Sequence, residues 1–149
     1  MSVETTARLS EISNIIGIKD ATGDLTIIRE LVKSCPEDFL LLTGDDATAL
    51  DFLLLGGHGG ISVTANVTPK ELQKVYMTAI AGNAEVARQA NKELTNLHQN
   101  LFLESNPIPV KWALHKMGLC SKGIRLPLLE LSSEFRPVIE NDLKELNLL

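Results

Sequence analysis

In the first part of the chain, short runs of apolar residues alternate with stretches in which apolar residues recur at helical spacing. Residues 14–18, 39–42 and 60–63 form three such runs, in which most positions are apolar or glycine. Short runs that are apolar on both faces are typical of strands buried in a parallel sheet. We therefore predict three short strands in this part of the chain.

Two amphipathic stretches separate these runs, and each carries helix start and stop signals. Asp24 is the predicted N-cap of the first helix, which Pro36 ends. Asp45 or Asp46 is predicted to cap the second helix, which stops at Gly56-Gly57. The order β-α-β-α-β indicates a parallel α/β sheet with right-handed crossovers.

The remainder of the chain has the periodicity of helices. Residues 68–71 read Thr-Pro-Lys-Glu, a capping box with proline at the first helical position. A long helix is predicted over residues 86–101, and a shorter one ends at Gly118. Ser132 or Ser133 is predicted to start a last helix. The inward side of this helix is predicted to consist of Phe135, Val138, Ile139, Leu143 and Leu146.

These patterns divide the chain into a β/α segment, residues 1–82, and a helical region, residues 83–149. The 149 residues, 44% of them hydrophobic, are sufficient for a compact core. A closed eight-stranded barrel, however, needs more strands and roughly 200 or more residues. Because three strands leave two sheet edges unpaired, we expect the chain to pair with another surface or to belong to a larger protein.

Composition and charge narrow the function classes. A net charge of −5 and an aromatic content of 4% argue against binding to nucleic acid or to an anionic membrane. The apolar runs are too short to span a bilayer, and we expect no secretory leader. Cys35 and Cys120 lie in no CxxC pattern and are expected to be free thiols in a reducing compartment. A soluble cytoplasmic protein is therefore expected.

Lys19 directly follows the first predicted strand and therefore lies at the strand's carboxyl end. In α/β folds, reactive side chains gather at that end. A lysine amine is nucleophilic only when neutral, so its pKa must fall from about 10.4 toward roughly 7–8, which burial among aliphatic side chains can achieve. The alternative is a lysine whose charged end reaches solvent, and the pattern alone favours this alternative.

Further candidates follow the second and third strands. Gly44 would let a ligand approach the backbone closely. Residues 62–66 offer hydroxyl and amide groups that could bind a carboxylate or cap the next helix. The glycine-rich residues 56–60, around His58, match neither a dinucleotide loop nor a Walker loop and are predicted to be a flexible turn.

Neither a metal site nor a cofactor site is predicted. His98 and His115 fall on predicted helices, without cysteine or acidic partners at ligand spacing. The spacing assembles no Ser-His-Asp or Cys-His set, and no serine lies in a GxSxG turn.

Four segments closely resemble the dihydrodipicolinate synthase family, in the same order and over essentially the whole chain. They are residues 15–25 (IIGIKDATGDL), 42–46 (LTGDD), 56–66 (GGHGGISVTAN) and 106–112 (NPIPVKW). The resemblance implies an α/β fold that is a partial (β/α)8 TIM barrel, strands six to eight, followed by a C-terminal helical extension.

The resemblance also implies a pyruvate-dependent class I aldolase of lysine biosynthesis. Members of the family condense pyruvate with aspartate semialdehyde without a cofactor. Pyruvate forms an imine with the lysine of strand six, which corresponds here to Lys19. Ile61 is implied to contact pyruvate, and Gly44 and Asp45 are implied to lie at the rim of the pocket.

Some of the family's catalytic groups belong to earlier strands, namely a proton-relaying tyrosine and the threonines that bind the pyruvate carboxylate. The single tyrosine of this chain, Tyr76, lies on a later helix, so we expect weak or no activity from the chain alone. A homo-oligomer or a complementary N-terminal half is the expected protein partner. The alternatives are a sister aldolase, such as N-acetylneuraminate lyase or a keto-sugar acid aldolase, and a non-catalytic oligomerising domain.

Overall fold

The chain folds as three parallel strands interleaved with helices and followed by further helices. A computed structural model describes all residues, Met1–Leu149. The sheet has the order β1-β2-β3, and its register pairs Lys19 with Leu42 and Leu42 with Gly59. The predicted parallel α/β sheet is therefore confirmed. Its strands are β1 (Gly17–Asp20), β2 (Leu40–Thr43) and β3 (Gly59–Gly60).

The chain contains eight α-helices. A short 3-10 helix, Thr64–Asn66, lies between the third strand and the fourth α-helix. No α-helix is both long enough and apolar enough to cross a membrane. The helices are α1 (Val3–Ser10), α2 (Leu25–Ser34), α3 (Ala49–Leu54), α4 (Pro69–Ile80), α5 (Ala84–Lys92), α6 (Thr95–Asn100), α7 (Ile108–Lys116) and α8 (Arg136–Glu145).

Helix α2 begins as its sequence predicts. An Asp24 side-chain oxygen accepts hydrogen bonds from the Thr26 amide at 2.9 Å and the Thr26 hydroxyl at 2.8 Å. These bonds hold the pKa of the Asp24 carboxyl below its usual value. Ile28 and Leu31 on the inner face of α2 are fully buried, which fixes this helix against the sheet.

The predicted cap of α3 is wrong. The helix begins at Ala49 with Thr48 at its N-cap position, and neither Asp45 nor Asp46 caps it. Asp45 Oδ2 instead accepts the Thr48 amide and hydroxyl in the turn before the helix. Asp46 turns away to the backbone amides of Val63 and Thr64. Both carboxylates are thus committed to the loops at the strand ends.

The third strand is shorter than predicted, because it comprises only Gly59–Gly60 and not residues 60–63. The Ile61 amide still donates at 2.8 Å to the carbonyl of Thr43, the last residue of β2. Beyond that point the Asp46 carboxylate binds the amides of Val63 and Thr64. The chain therefore leaves the sheet for the 3-10 helix.

The long helix predicted over residues 86–101 is two helices, α5 and α6. The Leu94 amide donates to the Asn91 carbonyl three residues earlier, which tightens the turn between them. Ala87 and Leu94 pack in a cluster with α4, whereas Leu97 and Leu101 pack in a cluster with α8. Because of the break, the apolar side chains of residues 86–101 pack into two different clusters.

Helix α4 begins at Pro69 after Thr68, as predicted, but the hydrogen bonds of its cap and the start of α8 differ from the sequence prediction. Thr68 Oγ1 bonds the Glu71 carboxylate directly, so the side chains of the capping box meet each other and not the backbone amides. Helix α8 begins at Arg136, after a turn at the predicted start, and Val138 is 39% exposed and does not face inward. Ile139 and Leu143 are fully buried, as predicted.

The core consists of three apolar clusters. One lies between the sheet and α2, one joins α3, α4 and α5, and the third joins α6, α7 and α8. Ile18 and Leu41, neighbours in register, point into the first cluster. Successive strand residues point to opposite faces, so Lys19 and Leu42 belong to the other face. On that face Leu40 is 39% exposed, because no helix of this chain covers it.

Candidate active site

Lys19 and Gly44 meet at the carboxyl ends of the first two strands. A Cβ atom added at Gly44 would lie 2.2 Å from Lys19 Cε and 3.3 Å from Lys19 Cδ. The Gly44 amide donates to the Asp20 carbonyl at 2.7 Å, which holds the two strand ends together. The lysine side chain therefore crosses the Gly44 backbone, in space that any larger residue would occupy.

The Lys19 side chain is exposed, which agrees with the solvent-reaching alternative and not with burial among aliphatic side chains of this chain. Lys19 lies on the face of the sheet opposite Ile18, and the helices cover only the Ile18 side. Aliphatic residues do occur on the open face, but they too face solvent, as the exposure of Leu40 illustrates. Desolvation of the amine would therefore require a surface that these residues do not supply.

Ile61 lies at the end of the third strand, one residue beyond Gly60. Its amide bonds the Thr43 carbonyl, the residue directly before Gly44, and its side chain is 53% exposed. Lys19, Gly44 and Ile61 are thus at the ends of three adjacent strands. The structure brings these three predicted site residues to one edge of the sheet.

Asp45 orders the turn beside this edge. The Thr43 hydroxyl accepts the Asp45 amide at 3.1 Å, and Asp45 Oδ2 accepts the Thr48 hydroxyl at 2.6 Å. Gly23, at a φ of +70°, brings the loop after β1 close to this carboxylate, since its added Cβ would be 3.5 Å from Asp45 Oδ2. Asp45 therefore joins the loops that follow the first two strands.

His58 has a structural role that its position in a glycine-rich run did not reveal. Its Nδ1 accepts the Leu41 amide at 3.0 Å, and its own amide donates to the Leu41 carbonyl at 2.8 Å. The neighbouring Gly57 is buried, and a Cβ there would be 2.3 Å from the Phe52 ring. The predicted flexible turn is in fact closely packed, and no spacing rule signals this histidine.

A buried polar cluster lies behind the strand ends, and sequence reasoning missed it. Asp46, Thr64 and His98 are each at most 3% exposed and are linked by hydrogen bonds. Burial lowers the pKa of the His98 imidazole, although the negative charges of Asp46 and Asp45 act to raise it. These residues come from three separate segments, so only the folded chain reveals that they form a group.

Tyr76 points its hydroxyl toward the same region. Burial raises the pKa of Tyr76, and the charges of Asp46 and Asp45 add to this effect. A Cβ at Gly60 would lie 2.7 Å from the Tyr76 hydroxyl, so the phenol packs closely against the third strand. Neither this hydroxyl nor Asp46 Oδ1 has a hydrogen-bond partner. Tyr76 approaches the strand ends from the helical side of the sheet.

The polar groups of residues 62–66 serve the local turn. Ser62 Oγ accepts the Ala65 amide at 2.9 Å, and Asn66 Nδ2 donates to the Val63 carbonyl at 3.0 Å. Elsewhere, no group of three or more His, Cys, Asp or Glu side chains is placed to hold a metal ion. The chemistry available at the strand ends is therefore that of an amine beside a glycine and an aliphatic side chain.

Known proteins are similar to this chain in sequence and in fold. Residues 1–146 match the dihydrodipicolinate synthetase family. The 4-hydroxy-tetrahydrodipicolinate synthase of Ruthia magnifica subsp. Calyptogena magnifica is 55% identical over 149 residues, which cover 100% of this chain and 50% of that protein. The 4-hydroxy-tetrahydrodipicolinate synthase of Laribacter hongkongensis is 54% identical over 149 residues, which cover 100% of this chain and 51% of that protein.

A solved structure has the same fold over the matched region. Chloride-inhibited dihydrodipicolinate synthase from Acinetobacter baumannii, complexed with pyruvate, superposes with a TM-score of 0.96 at 48% identity, over 99% of this chain and 51% of that one. The chain spans about half the length of the curated relatives that it matches. On the strength of this match over nearly all of its residues, the chain belongs to the dihydrodipicolinate synthetase family.

Proposed function

We propose that this chain contributes strands six to eight of a (β/α)8 barrel that condenses pyruvate with aspartate semialdehyde, with Lys19 as the Schiff-base lysine. The observation that carries the proposal is the lysine side chain lying across Gly44 at the strand ends, with Ile61 on the next strand. The synthase names of the matched relatives support the same reaction over that of the sister aldolases.

The chemistry follows from an amine at this position. Lys19 Nζ adds to the C2 carbonyl of pyruvate, and loss of water leaves a protonated imine. This imine is an electron sink, so the C3 methyl group gives up a proton and an enamine forms. The enamine carbon attacks the aldehyde carbon of the second substrate, and a new carbon–carbon bond results. Water then hydrolyses the product imine, which frees the keto product and returns the free lysine amine.

Each neighbouring residue has a proposed part in this reaction. Gly44 leaves room for the lysine and for a planar imine above the backbone, because no Cβ fills that space. Ile61 provides an apolar wall for pyruvate from its exposed position. Asp45 keeps the turn at the rim in place through its bonds to Thr48.

The proposal requires a cover for the open face of the sheet. The amine must be neutral to attack a carbonyl carbon, and removal from water favours the neutral form, so the exposed Lys19 side chain needs a covering surface. The unpaired edges of β1 and β3, together with exposed Leu40 and Ile61, fit a complementary N-terminal half. Homo-oligomerisation, the cytoplasmic localisation and the division at residue 82 stay predictions.

Reconstitution tests this proposal. The chain is mixed or co-expressed with the complementary half of the Ruthia magnifica synthase, and formation of the condensation product is measured. We expect activity from the mixture, little from either half, and none with Lys19→Arg. The absence of an acid–base group alone lowers a reaction rate by about 10²–10⁴-fold, so we expect a difference of about this size between the mixture and either half. Equal activity of Lys19→Arg and the unaltered chain would overturn the proposal.

A further inference from the structure

The buried cluster behind the strand ends joins three parts of the fold that are distant in sequence. Asp46 belongs to the turn after β2, Thr64 to the 3-10 helix after β3, and His98 to helix α6. Their exposures are 2%, 0% and 3%. A buried polar network of this kind is costly unless its members hold each other in place.

Asp46 ties the loop after β3 to the turn after β2. Its Oδ2 accepts the amides of Val63 and Thr64 at 2.9 Å and 3.0 Å, and it lies 3.3 Å from Thr64 Oγ1. The tied segments begin at Gly44 and Ile61, two residues before Asp46 and two before Val63. The positions of Gly44 and Ile61 relative to each other therefore depend on this carboxylate.

His98 reaches the same group from the helical region. Its Nδ1 is 2.8 Å from Thr64 Oγ1, and its Nε2 is 3.3 Å from Asn91 Oδ1. A neutral imidazole with its proton on Nε2 satisfies both contacts, since Asn91 accepts that proton and Nδ1 accepts the Thr64 hydroxyl. The lowered pKa of His98 favours this neutral form. The Thr64 hydroxyl thus donates its proton to His98, while Asp46 holds Thr64 through the backbone amide.

We propose that Asp46, Thr64 and His98 are positioning residues, through which the helical region fixes the spacing of Gly44 and Ile61 around the Lys19 amine. The inference rests on the proposed function for its catalytic meaning. Its structural part, that Thr64 anchors the loop carrying Ile61, stands on the hydrogen bonds alone. None of the three contacts the reacting atoms in this proposal; they act through the loop and the turn.

Thr64→Val tests the anchor, because it removes the hydroxyl and keeps the side-chain size. Thr64→Ser restores the hydroxyl, and Thr6→Val is the matched control. Thr6 is also buried, and its hydroxyl bonds the carbonyl of Ser2, the N-cap of α1, a helix that packs against α2. Amide hydrogen exchange at Val63 and Thr64 is measured together with the rate of borohydride-trapped pyruvate adduct at Lys19.

We expect faster exchange at both amides and trapping slowed by about tenfold or more in Thr64→Val, since small misplacement of a reacting group is costly. Thr64→Ser and Thr6→Val should match the unaltered chain. Unchanged exchange in Thr64→Val, or altered exchange with unchanged trapping at Lys19, overturns the inference. If the unaltered chain forms no adduct at Lys19 even in the presence of the complementary half, the proposed function fails, and the exchange data alone decide the anchor. If Thr64→Val does not fold, Asp46→Asn takes its place in the same comparison.

Discussion

The Lys19 side chain crosses the backbone of Gly44 so closely that a methyl group on Gly44 would be 2.2 Å from Lys19 Cε. The register of the sheet sets this meeting, because β1 and β2 end side by side and the Gly44 amide bonds the Asp20 carbonyl. The reason for glycine here is space and not backbone conformation. A substitution at Gly44 should therefore directly change the position of the Lys19 amine.

Replacing Gly44 with alanine should move the lysine without unfolding the chain. The Lys19 side chain can swing away from the new methyl group, but the Ala21 Cβ at 2.9 Å must shift with its backbone, so we expect the free energy of unfolding to fall by about 1–3 kcal/mol. Pyruvate trapping at Lys19 should fall by about tenfold or more. Gly123→Ala is the control, since nothing lies within 4 Å of a Cβ built there. Equal trapping by both variants would mean that the close approach has no chemical role.

Tyr76→Phe should not destabilise the chain and is expected to stabilise it. The Tyr76 hydroxyl is buried without a hydrogen-bond partner, and such a group costs about 1–3 kcal/mol. Removing it should raise the free energy of unfolding in denaturant by about 1 kcal/mol. A loss of similar size would show that the hydroxyl has a partner, with the unpaired Asp46 Oδ1 as the first candidate.

Replacing His58 should weaken the sheet through a single backbone amide. His58→Ala leaves the Leu41 amide without its acceptor, which we expect to cost about 1–3 kcal/mol of unfolding free energy. Asn is the matched variant, because its side-chain oxygen occupies nearly the place of Nδ1 and can accept the same bond. Similar losses for both variants would indicate that the imidazole contributes packing and not this bond.

Asp142 should make the stability of the chain depend on pH. Burial raises the pKa of the Asp142 carboxyl, and Glu145 adds to this, although a bond from Asn100 at 2.7 Å opposes it. Because the folded-state pKa is the higher one, the folded chain holds this proton to a higher pH than the unfolded chain does. The free energy of unfolding therefore falls as pH rises from about 4 through the folded-state pKa. The helix dipole also disfavours a negative charge near the end of α8.

Asp142→Asn should remove that fall, because an amide stays neutral and its oxygen can still accept the Asn100 bond. We expect the variant to be at least as stable as the unaltered chain at pH 7 and to lose its advantage near pH 4. Thermal unfolding across this range measures both curves. Parallel curves would show that the Asp142 pKa is not raised by folding.

The sequence located the first strands and helices well, because their signals are local. Asp24 marks the start of α2, as predicted, whereas the first strand is Gly17–Asp20 and not residues 14–18, so Lys19 lies near its carboxyl end but within it. The third strand and the α5–α6 break were mispredicted for long-range reasons. Asp46 draws Val63 and Thr64 out of the sheet, and Leu94 belongs to a different core from Leu97.

The candidate site was predictable in its residues but not in its surroundings. The resemblance pointed to Lys19, Gly44 and Ile61, and the structure brings them to one sheet edge. The cluster of Asp46, Thr64 and His98 gives no sequence signal, because its members come together only through folding. The exposure of Lys19 likewise depends on which surfaces cover the sheet. Strand periodicity predicts the face on which a residue lies but not what covers that face.

Peptide mapping after borohydride treatment with pyruvate tests most directly whether Lys19 is the imine-forming amine. Reduction of an imine leaves a carboxyethyl group on the reacting lysine, and the other lysines of the chain are internal controls. We predict that Lys19 carries more adduct than any other lysine, that the complementary half increases the adduct further, and that Lys19→Arg abolishes this excess. An adduct spread evenly over the lysines, with and without that half, would contradict the assignment.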